Sequence, residues 1–596
     1  MPTYTAPVRD MQFLLHDVLD IGSLNDLDPF REATADVIDA ILEEGGRFAS
    51  EVLQPLNQSG DAEGCTFRDG EVTAPKGFRD AYALYVENGW QGLTVPEEWG
   101  GQGLPQVLGL AISEMAVASN WGFAMYPGLT KAAIEALLAH GSDDLKKTYL
   151  PRMVTGEWSG TMNLTEPHCG TDLGLIRTTA EPAEDGSYRI TGTKIFISAG
   201  EHDLSANIIH LVLAKIPGGP DGTRGISLFV VPKFLPEENG DPGKRNGVAC
   251  GSLEHKMGIH SNATCVMNYD NAVGFLVGGE HQGMRNMFTM MNEARLGVGL
   301  QGLAIADVAY QNAVTYARER LQGRALTGPK NPDGPADPII VHPDVRRMLM
   351  TVRAFTESAR ALVLWTGVQI DVGHADADAD VRQRAQDLVA LLTPVIKSYM
   401  TDQGVEAANL AMKCYGGHGY IREWGMEQFV RDAIIATIYE GTNGVQAMDL
   451  IGRKLPANGG RAVMALFGMI REFIKETSED DAMTPFTGPL KDASKRLQQA
   501  SEWLMKNATD NPEHGGAAAH DYLNLMALVA HGYMWCLMAR TAARKLATGN
   551  GNRDFLEAKL ATARFFMSHV MPATATHLAR IEAGAEPVMA LDAEAF

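Results

Sequence analysis

The sequence predicts a mainly helical protein whose helices are interrupted once by a β domain, with a further helical domain towards the C-terminus. Three observations predict it. Apolar residues recur at helical spacing on both sides of residues 160–281, that span alternates or runs β-branched instead, and a Gly-rich break near residue 457 precedes another helical stretch. At 596 residues the chain has room for three or four domains. The expected boundaries are 1–159, 160–281, 282–456 and 457–596.

In the N-terminal domain, Phe78, Ala81, Tyr82 and Tyr85, and again Ile134, Leu137 and Leu138, follow the three-and-four spacing of one apolar helix face. Residues 93–103 (Leu-Thr-Val-Pro-Glu-Glu-Trp-Gly-Gly-Gln-Gly) form a loop that helices cannot absorb. The period then changes: residues 188–198 alternate, while 208–214, 226–232 and 263–269 are short strand candidates, which suggests a compact sheet or barrel. Residues 235–251 are polar and Gly-rich and read as a long surface loop. Helices resume at Gly283, break at the Gly/Pro-rich connector 327–335, and resume after Ala457-Asn-Gly-Gly. The acidic run 371–380 reads as a solvated turn.

Composition excludes several classes of function. Fifty-one Lys and Arg against 73 Asp and Glu leave a net charge of −22. That balance argues against counterion-release binding to nucleic acid and against a polybasic hold on anionic lipid. Six scattered cysteines without a C-x-x-C pair are no disulfide framework and fit a reducing compartment. The N-terminus lacks a signal-peptide pattern, and no uninterrupted apolar run reaches the roughly 18 residues of a membrane span. A cytoplasmic protein is expected.

Gly297-Val-Gly-Leu-Gln-Gly302 matches the dinucleotide fingerprint G-x-G-x-x-G. That mechanism needs a strand before the glycines and a helix opening at them. Here the helical pattern runs straight through, so small residues for close helix packing are the better reading.

Four other segments carry chemistry-bearing residues. Residues 162–172 (Met-Asn-Leu-Thr-Glu-Pro-His-Cys-Gly-Thr-Asp) offer hydroxyls and a glycine that lets backbone approach a flat ligand, or simply a capped turn. In 192–200, strand alternation places Phe196 and Ser198 on one face, suiting either a ring system or a plain sheet surface. Asn292 and Arg295 stand one helical turn apart, as a phosphate-holding pair or an exposed polar face would. The last segment joins Gly416-Gly-His-Gly-Tyr, Arg431-Asp432 and Ile438-Tyr-Glu-Gly-Thr-Asn-Gly444. Glu440 lies between an apolar element and a Gly-Thr turn that should start a helix at about Val445. Locally it is either a functional carboxylate or a helix cap.

Taken together and in this order, the four segments resemble the acyl-CoA dehydrogenase family from about residue 30 to Lys454, and the tail beyond 460 resembles the extra helical domain of a longer bacterial branch. The resemblance implies an N-terminal helical domain, a middle β-barrel, a C-terminal helical bundle and an additional C-terminal helical domain. It implies FAD as cofactor and a short acyl-CoA as substrate, with Glu440 removing the pro-R α-proton. Flavin contacts are implied for Met162, Leu164, Thr165, Gly170, Thr171, Phe196 and Ser198. Arg320 and Gln322 match positions that reach the FAD pyrophosphate of a neighbouring subunit, and Gly416, Gly417, Thr442 and Gly444 match its adenosine half. Substrate contacts are implied for Thr171, Asn292, Arg295, Tyr439 and Gly441. No metal is implied. The implied partners are an electron-transfer flavoprotein and a second copy in a homodimer, because the extra domain would cover the surface that shorter relatives use to form tetramers.

The match is not complete. Phe196 stands where many relatives have Trp, Lys413 and Gly444 stand where Gln is usual, and Asn292 replaces an Asp. Some relatives carry their base at the position of Ala294, one residue from Glu293, so Glu293 is a rival carboxylate out of register. An acyl-CoA oxidase, a fatty acyl-CoA dehydrogenase of short or medium chain length, and a silent scaffold are the competing functions. The scaffold would be expected to have lost Glu440.

Overall fold

The computed structural model describes residues 2–596, so Met1 lies outside the described residues. The chain folds as two compact units. One takes the residues up to Gly46, Pro105–Glu114 and Val298–Phe596; the other takes Arg47–Leu104 and Met115–Gly297.

The second unit contains the β domain. Its seven-stranded sheet comprises β1 (Trp158–Asn163), β2 (Thr179–Pro182), β3 (Tyr188–Ser198), β4 (Asn207–Lys215), β5 (Ile226–Pro232), β6 (Val248–Leu253) and β7 (Thr264–Val277). Pairing runs β7–β3–β2–β4–β5 and back from β5 to β7, which closes a five-stranded barrel. β1 adds parallel to β4, and β6 adds antiparallel to β7. Val212, Phe229, Ile190, Met267 and Ala180 form one buried cluster drawn from all five ring strands, which is the barrel interior. Their alternates Leu211, Leu213, Leu228 and Val230 pack outward with Ile134, Leu137, Leu150 and Met153 from two helices, Trp121–His140 and Asp143–Thr155. Burial on both faces is why 208–214 reads as a continuous apolar run.

Two expectations in this unit are corrected. Residues 235–251 are not a bare loop: Phe234–Pro236 pairs with Pro242–Arg245 as a hairpin, and β6 begins at Val248. The helical N-terminal region also contains a small hairpin, Thr66–Arg68 with Glu71–Thr73.

The first unit is helical. Gly283–Glu319 is a single 37-residue helix that contributes its later part here. The Gly297–Gly302 segment lies inside it, as its period implied. A Cβ on Gly302 would sit 2.1 Å from the Met400 carbonyl oxygen, and one on Gly299 would sit 2.6 Å from Ile396 Cγ2. These glycines therefore serve close packing against the Ala379–Cys414 helix. The acidic run is only partly a solvated turn. Asp371 is buried and accepts hydrogen bonds from the Gln106 and Val107 amides at 2.7 and 3.1 Å, so it caps the Gln106–Ser119 helix from outside. Helix Pro512–Thr548 is long and apolar enough to span a membrane by length and composition, but 94% of its apolar window is buried inside the fold. Its Trp535 Nε1 donates to the Ala354 carbonyl at 3.1 Å, seating the C-terminal helices on the Pro343–Ala375 helix. All six cysteines are free thiols.

A buried charge network runs through this unit. Arg360, 2% exposed, contacts Asp10 (2.6 Å), Glu114 (2.7 Å) and Asp307 (3.2 Å). Lys559 joins Asp10 (2.5 Å) to Glu357 (2.8 Å). Burial pushes the Glu114 carboxyl up to about 7, and Arg360 offsets only part of that. A carboxyl that titrates higher in the folded than in the unfolded chain stabilises the fold at low pH. Its contribution is complete below pH 4.5 and is lost as pH rises through about 7. Replacing Glu114 with Gln should therefore flatten the pH dependence of the urea midpoint across that window. Arg360→Met takes the cation from Glu114 and Asp307, leaving Asp10 with Lys559 alone, and should cost about 3–5 kcal/mol in the same denaturation measurement.

Candidate active site

The 162–172 segment leaves the barrel at the end of β1 and folds back onto β3. Ile195 N donates to the Thr165 carbonyl at 2.9 Å. Beneath this contact Lys194, fully buried, donates to Glu166 at 2.8 Å and to the Leu164 carbonyl at 3.0 Å. Glu166 also accepts from the Arg177 and Thr178 amides and the Thr178 hydroxyl. Burial raises the Glu166 carboxyl, but the Lys194 ammonium and these donors outweigh it and hold the group below its ordinary range. The buried pair thus ties Leu164 and Thr165 to the strand that carries Phe196 and Ser198.

That strand is not regular. Its register against β7 shifts between the pairs Cys265–Ile197 and Met267–Lys194, and Phe196 sits at φ +60° within the bulge. Phe196 is 58% exposed, and it and half-buried Ser198 flank buried Ile197. Met162, Leu164 and Thr165 are half-buried, while Gly170 and Thr171 are exposed in the turn that follows. Around Gly170 the space that a Cβ would enter is open. The pair Lys194 and Glu166 was not anticipated. Its signal was a lysine inside an otherwise alternating strand, 28 residues from its partner.

On the Gly283–Glu319 helix, Asn292 is exposed, whereas Arg295 is buried with its guanidinium 5.7 Å over the Phe288 ring. The rival carboxylate Glu293 forms an ion pair with Lys131 at 3.2 Å, both groups being mostly buried. Its charge is engaged locally within the second unit.

In the helical unit, the chain leaves the 3-10 turn Ile434–Thr437, passes Tyr439 and Glu440, and enters the Asn443–Asp449 helix. The helix begins two residues before the expected Val445. Its cap is Thr442, whose hydroxyl accepts from Val445 N. Glu440 is therefore not the cap. It is instead a non-glycine residue at φ +56°, followed by Gly441 at φ +80°. A left-handed residue with a Cβ costs about 1–2 kcal/mol, so other contacts must hold it. Gln446 Nε2 donates to the Glu440 carbonyl at 3.0 Å. Lys397 Nζ donates to the Gly441 carbonyl at 2.7 Å and to Asn443 Oδ1 at 2.9 Å. Tyr439 is oriented by a 2.6 Å hydrogen bond to Gln301 Oε1, and Gly444 lies exposed in the first turn of the helix.

Elsewhere in this unit, Arg320, Gln322, Gly416 and Gly417 line one cavity of about 470 Å³, together with Lys413 and His418. The structure brings together two pairs of residues that the sequence separates by nearly one hundred positions. Asp337 shapes the connector that carries Arg320 and Gln322, accepting from the Ala325, Lys330 and Asn331 amides. Gly416, at φ +58°, and Gly417 both have open space where a Cβ would stand.

Removing one member of the Lys194–Glu166 pair tests its role in setting this geometry. Lys194→Met leaves a buried carboxylate without its cation and should destabilise the fold by about 3 kcal/mol in urea denaturation followed by tryptophan fluorescence. Adding Glu166→Gln should recover part of that loss.

Models of the acyl-CoA dehydrogenase N-terminal, middle and C-terminal domains match residues 37–157, 161–272 and 281–455, and a model described as acetyl-CoA dehydrogenase C-terminal like matches 466–592. The chain is 44% identical to 3-methylmercaptopropionyl-CoA dehydrogenase of Ruegeria pomeroyi, over 97% of this chain and 98% of that one. It is 34% identical to a butyryl-CoA dehydrogenase of Syntrophomonas wolfei, over 100% and 99%. A crystal structure of an acyl-CoA dehydrogenase complexed with FAD from Bacillus anthracis has the same fold, with a TM-score of 0.75 at 19% identity over 96% of this chain and 91% of that one. Four domain models in sequence order, and relatives matched end to end, place this chain in the acyl-CoA dehydrogenase family.

Proposed function

We propose that the protein dehydrogenates a short acyl-CoA between its α and β carbons, with Glu440 as the base and FAD as the cofactor. The observation that carries this reading is the left-handed Glu440–Gly441 turn, in which a residue with a Cβ keeps φ +56° while buried donors hold the backbone carbonyls of both residues. The chain's own features fit FAD. Open space at Gly170, Gly416 and Gly417 admits a closely approaching group. Exposed Phe196 offers a ring face, and Arg320 and Gln322 line a cavity with the 416–417 glycines that suits a pyrophosphate. Met162, Leu164, Thr165, Thr171 and Ser198 would hold the flavin end, with Thr442 and Gly444 towards the adenosine half.

Bound FAD supplies an acceptor for the β-hydride at N5. Glu440 takes the pro-R α-proton, a weak acid beside a thioester, so a base of fixed position is needed. The backbone N–H of Glu440 would bind the thioester carbonyl, where negative charge develops as the proton leaves. Arg295, Asn292, Tyr439, Thr171 and Gly441 would position the acyl-CoA. Water displaced by the substrate brings the acidities of Glu440 and the α-proton closer together.

The substrate we favour is 3-methylmercaptopropionyl-CoA, giving 3-methylthioacryloyl-CoA. The 44% identical relative of that name and the resemblance of the whole chain to it support this. An electron-transfer flavoprotein is the proposed acceptor. A homodimer would let Arg320, Gln322, Gly416 and Gly417 complete the FAD site of a second copy.

Anaerobic titration of the holoprotein with acyl-CoAs tests the reading. 3-Methylmercaptopropionyl-CoA and butyryl-CoA should bleach the flavin. Glu440→Gln should keep flavin and bind thioester but bleach at least about 100-fold more slowly. Bleaching by the variant at the normal rate would move the base elsewhere, with Glu293 the first candidate.

A further inference from the structure

We propose that Lys397 is a positioning residue for the base, acting through the backbone of the turn that presents Glu440. The inference rests on the reading of Glu440 as the base and adds how that base is held. Lys397 lies on the Ala379–Cys414 helix, completely buried. Its ammonium reaches across to the turn, with Nζ 2.7 Å from the Gly441 carbonyl and 2.9 Å from Asn443 Oδ1. Asn443 is fixed in turn to the same helix, donating to the Ser398 carbonyl at 3.1 Å and to Asp402 at 2.7 Å.

Two physical arguments give this lysine a purpose. The turn contains two consecutive left-handed residues, and the first, Glu440, carries a Cβ, so the backbone alone would relax towards another conformation. Burying an ammonium, a compact and strongly hydrated charge, costs several kcal/mol that an apolar residue at the same position would not. The ion is explained if its donors are needed where they point, at the carbonyl immediately after the base. Gln446 holds the preceding carbonyl, that of Glu440, at 3.0 Å and also reaches the Gly441 carbonyl at 3.5 Å. The two donors together fix both peptide planes that flank Gly441. The carboxylate thereby inherits its position from a rigid helix rather than from a loop.

The test uses holoprotein of Lys397→Met, with three readouts. These are flavin content, thioester affinity from the flavin spectrum, and the rate of anaerobic bleaching by protiated and α-deuterated 3-methylmercaptopropionyl-CoA. A base displaced by about 1 Å costs on the order of 100-fold. The variant should therefore keep flavin and affinity while bleaching about 10- to 100-fold more slowly, with a primary α-deuterium isotope effect on the slowed step. Wild-type bleaching would show that the turn supports itself, and loss of flavin along with rate would make Lys397 part of the general scaffold; either result overturns the proposal. If Lys397→Met is not recovered folded, Lys397→Gln takes its place with the same outcomes, since it retains a donor but reaches less far. Glu440→Gln run alongside separates the two failures. If it bleaches normally, the base reading has failed; if it is silent while Lys397→Met is normal, only the lysine inference has failed.

Discussion

The carbonyl of Gly441 is held by a buried ammonium, and through it the chain keeps Glu440 in a conformation that it would not adopt alone. The Thr442 cap and the start of the Asn443–Asp449 helix come directly after that reversal. The rest of the helical unit can be read as the frame that keeps Lys397 in place. Glycines 299, 302 and 404 let two long helices approach to near backbone contact, which fixes the Ala379–Cys414 helix on which the lysine rides.

The same device recurs in the barrel unit. Lys194 is as buried as Lys397 and ties Glu166 and the Leu164 carbonyl to the strand bearing Phe196. Arg360 and Lys559 do comparable work among Asp10, Glu114, Asp307 and Glu357. Buried ions of this kind seldom stabilise a fold better than apolar residues of equal volume would. What they add is direction. Each fixes a particular carbonyl or carboxylate, where an apolar contact would permit sliding. Two of the three networks lie directly beneath segments that the family resemblance assigns to flavin or base.

How much of this was legible depended on range. Strands 208–214 and 226–232 were plain from β-branched runs, because both of their faces are buried and the pattern is local. The Gly297–Gly302 fingerprint lacks the strand its mechanism needs, and its Gly299 and Gly302 are packing contacts, while the space beside Gly297 is open. The hairpin within 235–251 was missed because Gly and Pro mask short edge strands. Asp371 was read as solvated because its partners, the amides of Gln106 and Val107, are more than 260 positions away. Separation likewise hid the partnership of Arg360 with Asp10, 350 residues apart, and even the 44 residues between Lys397 and Gly441 were enough to hide theirs. Glu440 was legible as a motif, and its left-handed backbone was not. A tripeptide such as Tyr-Glu-Gly sets no φ by itself; the donors from a distant helix do.

The central claim is that Glu440 moves the α-proton, and proton exchange tests it without any electron transfer. Methylthioacetyl-CoA has sulfur in place of the β-carbon, so it can lose an α-proton but offers no β-hydride. Holoprotein incubated with it in D₂O should replace the α-hydrogens with deuterium, followed by NMR, and Glu440→Gln should slow that exchange at least about 100-fold with flavin still bound. Exchange at the wild-type rate in the variant would contradict the account.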